Sequence, residues 1–322
     1  MKKAFKYFYK SLIIFVLLIN FFELKIFERL NKTIENNKIS ICICMYGKKE
    51  NRYAREFVEY YKKLEVDKIF LYDNNDLLGE KFEEVINDYI ISGFVEILNW
   101  RGKIKQQINI MNDCYRKNYK IFDWLMFYEF DEYIFLKDFK NIKSFLNDKR
   151  FLNCKAVQLN WVLHTDNNNL YYENKSLLER FPEREVKSRG RKTGGLSYIK
   201  TIIRGNLTNL KIIGPHRLST RIKGCNGFGK EHKLIGIATN ESDYENYYID
   251  HYIYKSTEEF IEKVNKGCAF KYLDKNYQLG RIGSYFRKNK ITLEKIELIE
   301  NRTGINLSKY KSKIKKKNNF EI

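Results

Sequence analysis

A chain of 322 residues with 43% hydrophobic and 31% charged side chains can bury a sizeable core and is too apolar to be a disordered tail. A formal net charge of +20 favours an anionic partner: nucleic acid, an anionic membrane surface or a phosphorylated small molecule. Nucleic acid is set aside, because there are no paired-cysteine fingers and no aromatic RNP pattern, and the basic residues are spread along the chain apart from Lys311–Lys317.

Residues 2–10 are basic and aromatic, and Ser11–Phe22 is an almost unbroken apolar run. It falls short of the roughly 20 residues of a comfortable transmembrane helix, although snorkelling lysines extend it. The expectation is a membrane-associated chain with a single-pass anchor at residues 11–22, the side of the membrane being open. An interfacial helix and a helix packed on the domain are the alternatives. Residues 1–37 therefore read as anchor and stem. The six cysteines, Cys42, Cys44, Cys114, Cys154, Cys225 and Cys268, contain no CxxC pair, so buried reduced thiols are expected and a zinc site is not.

From residue 39 strand and helix patterns alternate. Strands are predicted at Ile39–Met45, Lys68–Tyr72, Val95–Leu98 and Trp124–Tyr128. Helices are predicted at Arg52–Leu64 with Asn51 as cap, at Glu80–Ile91 stopped by Gly93, and at Ile104–Lys117. This order predicts a parallel sheet covered by helices, with ligands beyond the carboxyl ends of the strands. Tyr46, Asp73, Asn74, Asn99–Arg101 and Glu129–Asp131 lie at those ends. The second half predicts strands at Ala156–Val162, Tyr198–Ile203, Leu210–Ile213 and Ile249–Tyr254, and a mobile basic loop over Arg180–Lys200. Ser256 and Glu259 form a capping box that opens a helix over Glu258–Lys266. A short helix follows at Leu293–Glu300, then a basic, frayed tail.

The stretch Asp123–Phe135 stands apart: a large apolar run, then Glu129, Asp131 and Glu132 within four residues. Alternation along a strand places Glu129 and Asp131 on one face and Glu132 on the other. Carboxylates at the mouth of a buried strand are costly unless something positive meets them. A divalent cation is the simplest answer, since Mg²⁺ and Mn²⁺ prefer hard carboxylate oxygens. A strand end turning into solvent is the plainer alternative.

Several segments resemble family 2-like and family 92 glycosyltransferases: Glu50, Phe57–Tyr61, Ile69–Asn75, Trp100 with Gln106–Gln107 and Asp113–Cys114, Asp123–Tyr133, Leu159–Trp161, Leu178–Phe181 and His251–Ser256. The resemblance runs from about Ile39 to Phe270. It implies a GT-A-type, Rossmann-like α/β fold, a mostly parallel sheet with helices on both faces, plus a mixed acceptor-side half. The domains would be 1–37 as anchor and stem, 38–270 as the glycosyltransferase domain, and 271–322 as a helical and basic tail.

The activity so implied is metal-dependent transfer of a sugar, with inversion, from a nucleotide-sugar such as a UDP-sugar to a glycan or lipid-linked acceptor, in surface glycan biosynthesis. The cofactor would be Mn²⁺ or Mg²⁺ held by Asp131, with Glu129 and His251 completing the shell. Glu129 stands where the family usually has Asp, so it reaches the metal through water or contacts the ribose. Asp73 and Asn74 would meet the base or ribose beside Tyr46; an Asx turn is the alternative. Arg101, with Lys103, would meet the diphosphate, and Gln106 or Gln107 would face the donor. The general base is sought in Glu179 or Asp166; Arg180 could neutralise Glu179. Trp161 could stack on a sugar, and His216 is a weaker counterpart of His251. The competing reading is a membrane-tethered, catalytically degenerate glycan- or lipid-binding protein.

Overall fold

The computed structural model describes residues 39–185, 189–190, 196–214, 216, 222, 224–231, 238–239, 243–267 and 274–318. In chain order it contains β1 (Ile41–Gly47), α1 (Asn51–Lys63), β2 (Lys68–Asp73), α2 (Glu83–Ile91), β3 (Val95–Asn99), α3 (Gln107–Asn118), β4 (Trp124–Met126) and β5 (Glu132–Leu136). Then come α4 (Ile142–Leu146), β6 (Ala156–Leu163), α5 (Leu177–Arg180), β7 (Arg189–Gly190), β8 (Leu196–Arg204), β9 (Ala238–Thr239) and β10 (Tyr247–His251). Helices α6 (Thr257–Lys266), α7 (Lys275–Lys288), α8 (Leu293–Thr303) and α9 (Ser308–Asn318) close the chain.

One large sheet runs β3-β2-β1-β4-β8-β6-β10-β5, with β7 and β9 added on β8. β3, β2, β1 and β4 are mutually parallel. β8 is antiparallel to both β4 and β6, β10 is parallel to β6, and β5 closes the edge antiparallel to β10. The expected α/β sheet, with a parallel half and a mixed half, is borne out.

The parallel strands read as continuous apolar runs because both their faces are buried. Cys42, Cys44, Phe70, Tyr72 and Leu125 alternate onto one face and pack against Ile110, Met111 and Cys114 of α3. The intervening Ile41, Ile43, Ile69, Leu71, Trp124 and Met126 are also fully buried. On α1 the inward residues Tyr53, Phe57, Val58 and Tyr61 recur at helical spacing. Tyr60 and Tyr61 donate through their hydroxyls to the carbonyls of Ile134 (2.6 Å) and Glu132 (2.9 Å), which pins α1 to β5.

Several expectations are corrected. Asn51 is not the cap of α1: Glu50 holds that position without a side-chain bond, and Asn51 Nδ2 donates instead to Lys81 O at 2.8 Å. Residues 210–213 form no strand, because Ile212 is drawn into the α3 cluster and its N–H donates to Asn112 Oδ1 at 3.0 Å. The tail expected to fray forms α9. Helix α7 was missed because Gly280 and Gly283 weaken its propensity; Ile282, Tyr285 and Phe286 nonetheless join α6 and α8 in a second apolar cluster. The membrane-associated reading is corrected as well. Among the described residues no helix is long and apolar enough to cross a membrane, and residues 11–22 themselves lie outside the described residues.

The cysteines are not all thiols. Cys44 is bonded to Cys114 and Cys154 to Cys225, while Cys42 is a free, buried thiol and Cys268 lies outside the described residues. Reading neighbours in sequence could not show that α3 lays Cys114 over β1. The bridges close loops with sequence separations of 70 and 71 residues, for which chain entropy gives about 4 kcal/mol each. Thermal melts with and without dithiothreitol are therefore expected to differ by many degrees; superimposable melts would contradict the pairing.

Candidate functional site

The acidic stretch does not continue as a strand. β4 stops at Met126, and residues 127–131 form a link that carries the chain to β5 at the far edge of the sheet. Glu132 opens β5, where register sets it beside His251 at the end of β10. The alternation expected for the three carboxylates is therefore lost, and Glu132 points inward with the others.

Each carboxylate meets a lysine. Lys200, on β8, lies 3.1 Å from Glu129 Oε1 and 2.9 Å from Glu132 Oε1. Asp131 Oδ2 accepts from Lys263 on α6 at 2.7 Å and is 3.5 Å from Lys255 Nζ; its Oδ1 is 3.5 Å from His251 Nε2. Asp131, Glu132, Lys200, His251 and Lys255 are all buried, so the charges of Asp131, Lys200 and Lys255 stand only because they are paired. Two short signals build the frame. The backbone N–H of Tyr252 donates to Asp131 O at 2.9 Å, and the Ser256–Glu259 capping box starts α6 so that Lys263 faces Asp131.

Burial pushes the Asp131 carboxyl up, but Lys263, Lys255 and His251 outweigh it and hold it well below the usual carboxylate range. Burial of Glu129 is likewise outweighed, chiefly by Lys200. Glu132 is pushed up to about 8 by burial, which Lys200 offsets only in part. His216 is lowered to about 4 by burial and Lys200, and His251 is lowered by burial, so both imidazoles are neutral near pH 7.

An aromatic wall stands beside the carboxylates. The Trp161 ring lies 4.1 Å from that of His251, 4.6 Å from that of His216 and 5.8 Å from that of Tyr198. Trp161 Nε1 and His251 Nδ1 are buried and have no hydrogen-bond partner among the described residues. On the other side, Lys255 Nζ sits 4.3 Å over the Tyr53 ring. Tyr53 also lines a cavity of about 360 Å³ with Lys49, Arg52, Asn75, Asp76 and Glu262. Asn75 is fully buried, and its Nδ2 has no partner among the described residues.

The sequence profile of glycosyltransferase family 92 matches residues 37–278. The chain belongs to glycosyltransferase family 92. A glycosyltransferase family 92 protein of Oryza sativa subsp. japonica is 27% identical over 107 residues, 33% of this chain and 18% of that protein's length. Among solved structures, residues 1–349 of S. aureus TarS in complex with UDP-GlcNAc are 12% identical with a TM-score of 0.38, covering 83% of this chain and 80% of that one. The same TarS segment with UDP is 10% identical with a TM-score of 0.36, covering 82% and 81%.

In this family 92 chain the residues expected around the nucleotide are tied to one another. Arg101 Nη1 donates to Asp73 Oδ2 at 2.5 Å, and its Nη2 donates to the carbonyls of Asp76 (2.9 Å) and Gly79 (2.7 Å). Asp73 Oδ1 accepts from the N–H of Asn75 at 2.9 Å, an Asx turn. Asn74 Nδ2 donates to Trp100 O and Lys103 O, and Lys103 Nζ lies 4.4 Å over the Trp100 ring. Asp73, Asn74 and Arg101 thus knit the loops after β2 and β3, and the charges expected to meet a ribose and a diphosphate are spent on each other. Gln106 donates to Ile104 O and accepts from Asn109 at the start of α3; Gln107 is buried. Tyr46 lies half-buried at the end of β1.

The expected bases separate. Asp166 is buried, lies 2.6 Å from Lys295 Nζ and accepts from the Tyr285 hydroxyl, so it joins the loop after β6 to α7 and α8. Glu179 is exposed on α5. Arg180 turns away from it and pairs with Glu259. Protein groups surround the residues expected as a metal shell, Asp131, Glu129 and His251. Both Asp131 oxygens face positive or imidazole groups, and Glu129 is engaged by Lys200. Among the described residues no three His, Cys, Asp or Glu side chains converge as a shell. As arranged, these residues do not fit a divalent ion, because Lys200, Lys255 and Lys263 engage the carboxylate oxygens that would have to ligate it.

Lys200, Lys255 and Lys263 were missed. Lys200 had a legible signal, a lysine inside an apolar strand, which must find a carboxylate.

Proposed function

We propose that the chain transfers a sugar from a nucleoside-diphosphate sugar, a UDP-sugar being the expected donor, to a hydroxyl of a glycan or lipid-linked acceptor. The observation that carries this reading is the convergence of Lys200, Lys255 and Lys263 on Glu129 and Asp131, beside the Trp161–His251 wall. Family membership supplies the reaction class. The bond to the leaving diphosphate breaks with growing negative charge, and fixed ammonium groups held away from bulk water stabilise such charge most. The Trp161 ring beside the neutral His251 supports this reading as a surface on which a sugar could stack. An inverting transfer needs a base for the acceptor proton, and of the two carboxylates expected for it Glu179 alone is exposed.

The test is release of nucleoside diphosphate from a panel of nucleotide sugars incubated with the full chain. Release from at least one donor, lowered about tenfold or more by Trp161→Ala, is expected. Tight nucleotide binding with no release from any donor would favour the degenerate binding protein instead.

A further inference from the structure

Resting on that donor reading, we propose that the leaving diphosphate is met by the ammonium groups of Lys255 and Lys263, positioned by Asp131, and that no divalent cation is needed. One carboxylate faces two ammoniums, at 2.7 and 3.5 Å, so the pair carries one positive charge in excess. Before a diphosphate binds, a dication at the same carboxylate would set four positive charges against one negative one at a buried position, where like charges repel most strongly. A diphosphate brings the opposite sign.

The two lysines are suited to different parts of the task. Lys255 is held rigidly: its backbone lies in the left-handed region at φ 55°, its side chain is buried, and Nζ rests on the Tyr53 ring. Its charge cannot retreat into water. Lys263 is about a quarter exposed, so its ammonium has an open side from which to donate to a phosphate oxygen while keeping Asp131. The second acidic position of the motif cannot restore a metal shell, because Glu129 is engaged by Lys200 at 3.1 Å. The cavity along Tyr53 then receives the nucleoside.

The test is calorimetric titration of the full chain with UDP, once in EDTA and once in Mn²⁺, for the wild type, Lys263→Gln and Lys263→Arg. Circular-dichroism melts check that each variant folds. The expected result is wild-type affinity equal within about twofold in the two buffers, a loss of about tenfold or more in Lys263→Gln, and recovery of most of it in Lys263→Arg. Binding that appears only with Mn²⁺ would overturn the inference and leave the donor reading standing. Binding in EDTA that Lys263→Gln does not weaken would overturn the lysine assignment. No binding of UDP or any other nucleoside diphosphate in either buffer would overturn the donor reading with it.

Discussion

Arg180→Ala is expected to lower the stability of the folded chain by about 3–5 kcal/mol, the usual cost of stranding one partner of a buried ion pair. Arg180 Nη1 is 2.7 Å from Glu259 Oε2 and Nη2 is 3.0 Å from Oε1, a two-pronged pair in which both side chains are almost wholly buried. Glu259 also accepts from the Tyr53 hydroxyl at 2.6 Å and the Ser256 hydroxyl at 2.6 Å. One carboxylate therefore ties α5, α1 and the start of α6 together, and α6 carries Lys263.

The pair sets an acid limit. Burial pushes the Glu259 carboxyl up, but Arg180, Ser256 and Tyr53 outweigh it and hold it at about 2, against an ordinary 4.5. For a carboxyl lowered in the folded state, the stabilisation is complete above the ordinary value and is lost as pH falls from 4.5 towards 2. Urea unfolding at pH 7 and at pH 4 checks both points. Arg180→Ala should unfold at much lower urea and lose this part of the acid dependence. A variant as stable as the wild type at pH 7 would show that the pair adds nothing.

Asp131→Asn is expected to reduce donor turnover about a hundredfold or more while nucleotide binding survives within about tenfold. Removing the charge leaves Lys255 and Lys263 without their shared anion, so their mutual repulsion is no longer offset and their placement relaxes. A misplacement of about 1 Å at a reacting centre costs on the order of a hundredfold in rate. The two ammoniums still attract a diphosphate, so ground-state binding persists. A metal-holding Asp131 predicts the opposite split, with metal-dependent binding lost along with turnover. Measuring kcat and UDP affinity on the same preparation separates the two.

The parallel half was legible because its signals are local. Strands buried on both faces read as apolar runs, Tyr53, Phe57 and Tyr61 repeat at helical spacing, and Ser256 with Glu259 announces α6. The site was legible only as far as its acidic stretch. The end of β4 at Met126 is set by the jump to a distant strand partner, which no local pattern encodes. The partners that decide what the carboxylates do lie far off in sequence: Lys200 is 71 residues from Glu129 and Lys263 is 132 from Asp131. The partners of Asp166 were hidden for the same reason. A loop carboxylate looks available until Lys295 and Tyr285 are brought over it by helices that follow much later. Asp73 and Arg101 were placed at the correct strand ends, yet sequence could not show that they would bond each other.

The most direct measurement is a crystal structure of the full chain with UDP. The account predicts diphosphate oxygens within hydrogen-bonding distance of Lys255 and Lys263 Nζ, the nucleoside along Tyr53, and Asp131 still paired with both lysines. A diphosphate bridged to Asp131 and Glu129 by a metal ion, or a nucleotide bound away from these lysines, would contradict it.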